Sequence, residues 1–190
     1  MSIVKGMAAG AAAGLVASFV MNQFQAAWGK LMENEERSHG AQSLQQGSPQ
    51  HGIGRELAER GVDEPDDDAT VRTANAVSEL VFQHHLAKSD TETAGAVVHY
   101  AFGVSSGAIY GALAEVVPAA TKYEGTAFGA AVWLIADEGV VPALGLSRKP
   151  TDYPLSIHAH SFASHLVYGV TTELVRRAIR NTLNGRATAH

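Results

Sequence analysis

The chain has no cysteine among its 190 residues. A disulfide framework and thiolate metal sites are therefore excluded, and nothing marks a redox compartment. Charge is scarce as well, at 17% of residues, and the formal net charge of −5 comes largely from one acidic run. Nucleic-acid binding needs a basic face, and only the C-terminal arginines offer one. No GxGxxG or P-loop follows a strand, because no strand-rich region exists to host one. Ser164 and His165 are sequence neighbours, which point in different directions on a helix, so serine-type nucleophilic logic is missing too.

What the chain does have is long runs without charge. Tyr153–Thr172 runs twenty residues with no formal charge, Thr93–Ala114 twenty-two, and Gly6–Gly29 is charge-free throughout. About twenty apolar residues are what a helix needs to cross the ~30 Å hydrocarbon core of a bilayer. The start of the chain has the look of a signal peptide, but its apolar run is too long for an h-region and further spanning segments follow. The mean hydropathy of −0.02 averages a polar stretch, 30–92, with an apolar remainder. The expected fold is all-α: a single membrane domain over 1–190, with about four transmembrane helices near 3–28, 93–117, 123–146 and 153–181. A polar, partly helical insert occupies 30–92.

Two small-residue stripes stand out. Gly6, Gly10, Gly14 and Ser18 recur every four residues, as do Gly103, Gly107 and Gly111. Such stripes let helix backbones approach closely in lipid and are also a route to a homo-oligomer. Pro142 and Gly145 break the third segment. The insert opens with Glu33, Glu35, Glu36 and Arg37. Pro49 is then expected to start a short helix through Ile53, Leu57 and Ala58, stopped by Gly61. Asp63–Asp68 reads as a solvated acidic loop, without the ligand spacing or glycine of a calcium loop. Asp68 is placed to cap a helix through Val71, Ala74, Val77, Val81 and His85, whose apolar stripe faces the bundle or the membrane surface. His84 and His85 would complement the dipole at its end.

Loop charges orient the chain. Lys5, Lys122, Arg176, Arg177 and Arg180 fall on one side of a four-span arrangement; Arg148 and Lys149 fall on the other. The positive-inside rule then puts both termini in the cytoplasm.

The ordered set Gly14–Val20, His99, Ala114–Pro118, Pro142–Leu146, Ser164–Tyr168 and Glu173–Arg177 resembles the YagU-type family of bacterial inner-membrane proteins, largely a domain of unknown function. The resemblance covers the four apolar segments and omits the acidic insert. It implies a small polytopic protein of the bacterial inner membrane, with a loose link to acid stress. His99, Glu115, His165, Glu173, Arg176 and Arg177 fall on family positions, whereas His158 and His160 depart from them.

Ionisable groups inside apolar segments are costly and mark candidate sites. His99, Asp137, Glu138, His158 and His165 form the proton or metal candidate set, with His99, Asp137 and His165 expected to converge. Glu115, Glu173, Arg176 and Arg177 form a polar cluster at the cytoplasmic end. Imidazole and carboxylate suit zinc, iron or manganese, and His99 with His165 could hold a haem, though no sequence feature selects any cofactor. The same groups suit a proton relay. The bland alternative is structural. In it His99 bonds a carboxylate or Tyr110, Asp137 and Glu138 pair with Arg148 or Lys149, and Glu115 and Glu173 meet water at helix ends. No enzyme signature is present. The lipid bilayer is the expected partner, and the competing functions are proton or metal handling, a scaffold without chemistry, a membrane oxidoreductase, and a soluble bundle.

Overall fold

The computed structural model describes residues 2–31 and 45–187, and every regular element among them is helical. Helix α1 spans Ile3–Leu31, α2 Gly52–Glu59, and α3 Ala69–Ala76 with a π-wound extension, Val77–Val81. Helix α4 spans Lys88–Val116. A 3-10 stretch, Pro118–Gly125, leads into α5, Thr126–Val132, which continues as π-wound Trp133–Val140 and closes with Val141–Ala143. A 3-10 turn, Pro150–Asp152, precedes α6, Leu155–Ala187. Residues 32–44, where Glu33, Glu35, Glu36 and Arg37 fall, lie outside the described residues.

Among the described residues, three stretches are long and apolar enough to cross a membrane: Ile3–Lys30, Lys88–Val116 and Pro118–Ala143. The expected fourth, α6, is longer still at 33 residues but more polar, and composition alone does not select it. The chain divides into two compact units. One comprises Met1–Ala27, Tyr100–Val132 and Phe162–His190; the other comprises Trp28–His99 and Trp133–Ser161.

In the first unit, glycine sets the packing. Helices α1 and α4 run antiparallel with Gly6 against Gly111, Gly10 against Gly107, and Gly14 against Gly103; a Cβ would collide with the facing backbone at each of these except Gly103, where it would strike the Ser18 side chain. A second close approach sets Gly125 against Gly169, and Gly129 against the backbone of His165. Small residues such as Ala9, Ala13, Ala17 and Ser18 are buried, while Leu15, Phe19, Phe102 and Ile109 are exposed. A water-soluble bundle buries its large apolar side chains; small residues inside and large ones outside suit lipid, where close backbone packing holds helices together. Tyr110 stacks on Phe128 with ring centroids 4.3 Å apart, and the Tyr168 hydroxyl donates to the Gly103 carbonyl at 2.6 Å, cross-linking the glycine-packed helices.

In the second unit, the insert caps a broken helix. Pro142 and Gly145 end the third apolar stretch, with Gly145 at φ 72° and Leu146 N–H returning to the Val141 carbonyl at 3.0 Å. Its last carbonyls still need donors. The first turn of α2 supplies them: Ile53 N–H donates to the Leu144 carbonyl at 3.0 Å and Gly54 N–H to the Gly145 carbonyl at 2.8 Å. A helix N-terminus meeting a helix C-terminus also aligns opposite partial charges. Gly52 and Gly54 allow the approach, since a Cβ on either would strike those carbonyls. Helix α2 therefore starts after His51 rather than at Pro49, and His51 Nε2 lies 2.9 Å from the Pro142 carbonyl. Leu57 is fully buried, and Gly61 at φ 73° stops the helix as expected.

The acidic run is only partly solvated: Glu64 and Asp66 are exposed, while the Asp63 side chain and Asp68 are buried. Asp63 pairs with Arg72 at 2.5 Å, both side chains entirely buried, and Arg72 also donates to the carbonyls of Glu64 at 3.2 Å and Leu146 at 3.5 Å. Asp68 caps α3 as the sequence predicts, accepting from Thr70 N–H at 2.8 Å and Val71 N–H at 3.1 Å. Burial raises the Asp67 carboxyl above its ordinary range, against the lowering effect of the Glu64 N–H it accepts. Counting acids could not reveal this, because the partner, Arg72, sits in the next helix.

Gly107→Leu drives a side chain into the Gly10 carbonyl and the Gly14 Cα. It should cost about 3 kcal/mol or more in detergent melting. Ile109→Leu, at a position 69% exposed, should stay within about 0.5 kcal/mol. Equal melting of the two variants would show that the glycine stripe is not an interface. Arg72→Ala leaves Asp63 charged and buried, and should cost about 3–5 kcal/mol by the same measurement; a surface-like loss would mean that water reaches the pair.

Candidate functional site

Asp137 and Glu138 are adjacent acids on the π-wound stretch Trp133–Val140. A π-winding of eight residues is unusual, and such bulges cluster at functional sites. Neighbours on an α-helix diverge by about 100°, yet both acids here find partners one turn apart on α6. Ser161 Oγ donates to Asp137 Oδ2 at 2.5 Å, and His158 Nδ1 lies 2.7 Å from Glu138 Oε1. His158 and Ser161 are three residues apart, which puts them on one helix face. The acids do not pair with Arg148 or Lys149; Arg148 instead reaches Asp152 at 3.8 Å.

His158 is held on both sides. Its Nε2 lies 3.0 Å from the Pro150 carbonyl, so each ring nitrogen faces an acceptor. An imidazolium carries a donor on each nitrogen and satisfies both; the neutral ring satisfies one. Tyr153 meets the ring edge-on at 6.4 Å and accepts from the Arg148 backbone N–H at 3.1 Å. The His158 and Glu138 side chains keep 18% and 13% exposure, so the pair is not sealed inside the protein.

His99 is half-buried on α4 in the second unit. His165 is buried in the first, where its backbone forms the floor under Gly129. His160 is buried and stacks on the half-buried Trp28 at 5.2 Å with planes 12° apart. Among the described residues, no three His, Cys, Asp or Glu side chains form a group that could hold a metal ion.

Glu115, Glu173, Arg176 and Arg177 all lie in the first unit as paired ions. Glu173, with no exposed side-chain surface, accepts from Arg176 at 2.7 and 2.9 Å, from Arg177 at 3.0 Å, and from the Tyr110 hydroxyl at 3.0 Å. Glu115 binds Arg180 at 2.7 and 3.0 Å and accepts from the Ser2 backbone N–H at 3.1 Å. Arg177 also reaches Glu124 at 2.7 Å. These carboxylates therefore meet arginines rather than water, and Tyr110 meets Glu173 rather than His99. Sequence reasoning left Arg180, Glu124 and Ser161 out of the site. Arg180 had one signal, its seven-residue spacing from Glu173 on one helix face; Glu124 had none, since a left-handed turn at Tyr123 and Glu124 aims it.

Arg180→Ala should destabilise the protein by leaving Glu115 unpaired, and Glu115→Gln should recover part of the loss. A thermal double-mutant cycle should give a coupling of about 0.5–3 kcal/mol. Additive effects would show that the pair contributes no coupling.

No curated protein and no solved structure matches the chain. The sequence profile of a family described as "protein of unknown function (DUF1440)" matches residues 72–174. The match begins within α3, in the stretch that the sequence resemblance omitted, and leaves out α1. It covers Asp137, Glu138, His158 and Ser161 and stops just short of Arg176. With more than half of its residues matched, the chain belongs to the DUF1440 family.

Proposed function

We propose that this protein is a four-helix membrane protein of the bacterial inner membrane that handles protons at Asp137, Glu138, His158 and Ser161. The observation that carries the proposal is the double pairing of two adjacent acids, Asp137 with Ser161 and Glu138 with His158, on a π-wound stretch of an apolar helix. Intramembrane acids and histidines mark proton pathways by default. His158 passes its Nδ1 proton to Glu138, after which the new carboxyl O–H donates back to Nδ1 while Nε2–H keeps donating to the Pro150 carbonyl, so the exchange reverses one hydrogen bond and breaks none. The YagU resemblance and its acid-stress link belong to the same reading.

The fourth crossing rests on the ion pairs. Ser2, Glu115 and Arg180 meet, so the start of α1, the end of α4 and the end of α6 lie together. A 33-residue α6 starting from there is about 50 Å long, enough to return across a bilayer. Its greater polarity follows from its surroundings: beyond residue 161, Leu174 is its one exposed large apolar side chain among those described. A scaffold without chemistry is the second reading, favoured by the arginine partners that neutralise Glu115 and Glu173.

In vesicles carrying an internal pH dye, the purified protein should pass protons down an imposed gradient. Glu138→Gln and His158→Gln should reduce that flux to the level of empty vesicles, while Leu174→Ile leaves it unchanged. Wild-type flux no greater than that of empty vesicles would favour the scaffold. Labelling of single cysteines should place Lys5→Cys and Thr182→Cys on one side and Lys149→Cys on the other; Thr182 on the side of Lys149 would remove the fourth crossing.

A further inference from the structure

The C-terminal half of α3 exposes a patch that the proton site does not use. Val77, Leu80, Val81 and Phe82 all face outward, with Val81 and Phe82 at 69% and 71% exposure. The opposite face is tied down: Arg72 to Asp63, Asn75 to the Val62 carbonyl at 3.0 Å, and Ser78 to the His84 carbonyl at 2.6 Å. The helix is thus held in one rotation, with its apolar residues turned away from the protein. Around the patch lie the polar residues Glu79, Gln83, His84 and His85, with His85 Nδ1 2.8 Å from Glu79. An apolar patch rimmed by polar groups is the mark of an interaction surface.

Depth identifies the partner. We infer that this end of α3 rests on the lipid headgroup layer beside the second apolar helix, as an in-plane membrane anchor; the inference rests on the membrane reading above. Helix α4 has 29 residues, about 43 Å against a hydrocarbon core of ~30 Å. Its N-terminal charges, Lys88, Asp90 and Glu92, fall in the first five residues, so its apolar length begins at Thr93. The hydrocarbon boundary therefore lies near Thr93. Helix α3 packs against α4 just inside that level, because a Cβ on Gly95 would press on Val71 and Thr70. From Val71 the helix advances at most ~1.5 Å per residue, which keeps Val77 within about 9 Å of that depth. Six residues on from Phe82 the chain re-enters α4 at Lys88, which tethers the other end of the patch to the same layer. Apolar side chains with a polar rim, fixed at that height, match how amphipathic helices bury their apolar face at the headgroup–acyl boundary. A lipid surface thus fits the patch better than a second copy of the chain.

The absence of cysteine makes the test clean, since single-cysteine variants can be spin-labelled without a background. Four variants are labelled in vesicles of phosphatidylethanolamine and phosphatidylglycerol: Val81→Cys, Phe82→Cys, Ile109→Cys as the lipid-facing reference, and Arg55→Cys as the aqueous one. Collision with oxygen, which concentrates in lipid, is compared with collision with a water-soluble nickel chelate. The patch positions should show an oxygen-to-nickel ratio severalfold above that of Arg55→Cys and below that of Ile109→Cys. A ratio equal to that of Arg55→Cys, with Ile109→Cys still in lipid, would overturn the anchor alone. Spin–spin broadening between labels at Phe82→Cys would assign the patch to a second copy instead. An aqueous Ile109→Cys would overturn the membrane reading itself, and the anchor with it.

Discussion

In a setting without water, every backbone polar group and every buried charge must find its partner within the protein. The described structure follows from that constraint. The third apolar stretch breaks at Pro142 and Gly145, and the carbonyls it frees are taken up by the N–H groups of Ile53 and Gly54 and by His51. A polar insert, expected to be only partly helical, is thereby fixed as a cap. Arg72 extends the same service to Leu146, and its own charge is met by Asp63. Removing any donor from this set would leave a carbonyl or a carboxylate stranded, which costs more than the bond contributes.

The same constraint explains the charged ends of the first unit. Arg176, Arg177 and Arg180 resemble a membrane anchor in the sequence, yet each is held by Glu173, Glu115 or Glu124. Paired in this way they lock helix ends together and present little free charge to lipid. Close backbone packing at Gly10, Gly107, Gly129 and Gly169 does the rest of the work in the unit, since there is no hydrophobic drive between helices in lipid.

Against that background Asp137 and Glu138 are conspicuous. Both are satisfied, but by Ser161 and His158, which titrate or rotate far more readily than an arginine. An arginine partner would have fixed their charge permanently. A hydroxyl and an imidazole hold them instead, and that contrast of partners within one chain separates the candidate site from the structural ion pairs.

The sequence by itself determined the all-helical architecture, the glycine stripes and the Asp68 cap, because each rests on local spacing: charge-free length, a four-residue repeat, a capping residue before an apolar period. It also marked Asp137, Glu138 and His158 as costly groups that need partners. Only the tertiary structure decided who those partners are. Arg72 with Asp63, Arg180 with Glu115, Ser161 with Asp137 and Trp28 with His160 join residues far apart along the chain or, for Arg72 and Asp63, across a turn whose geometry composition does not encode. A periodicity shows which face of a helix a residue occupies; which helix that face meets, and at what height, follows from packing of the whole chain.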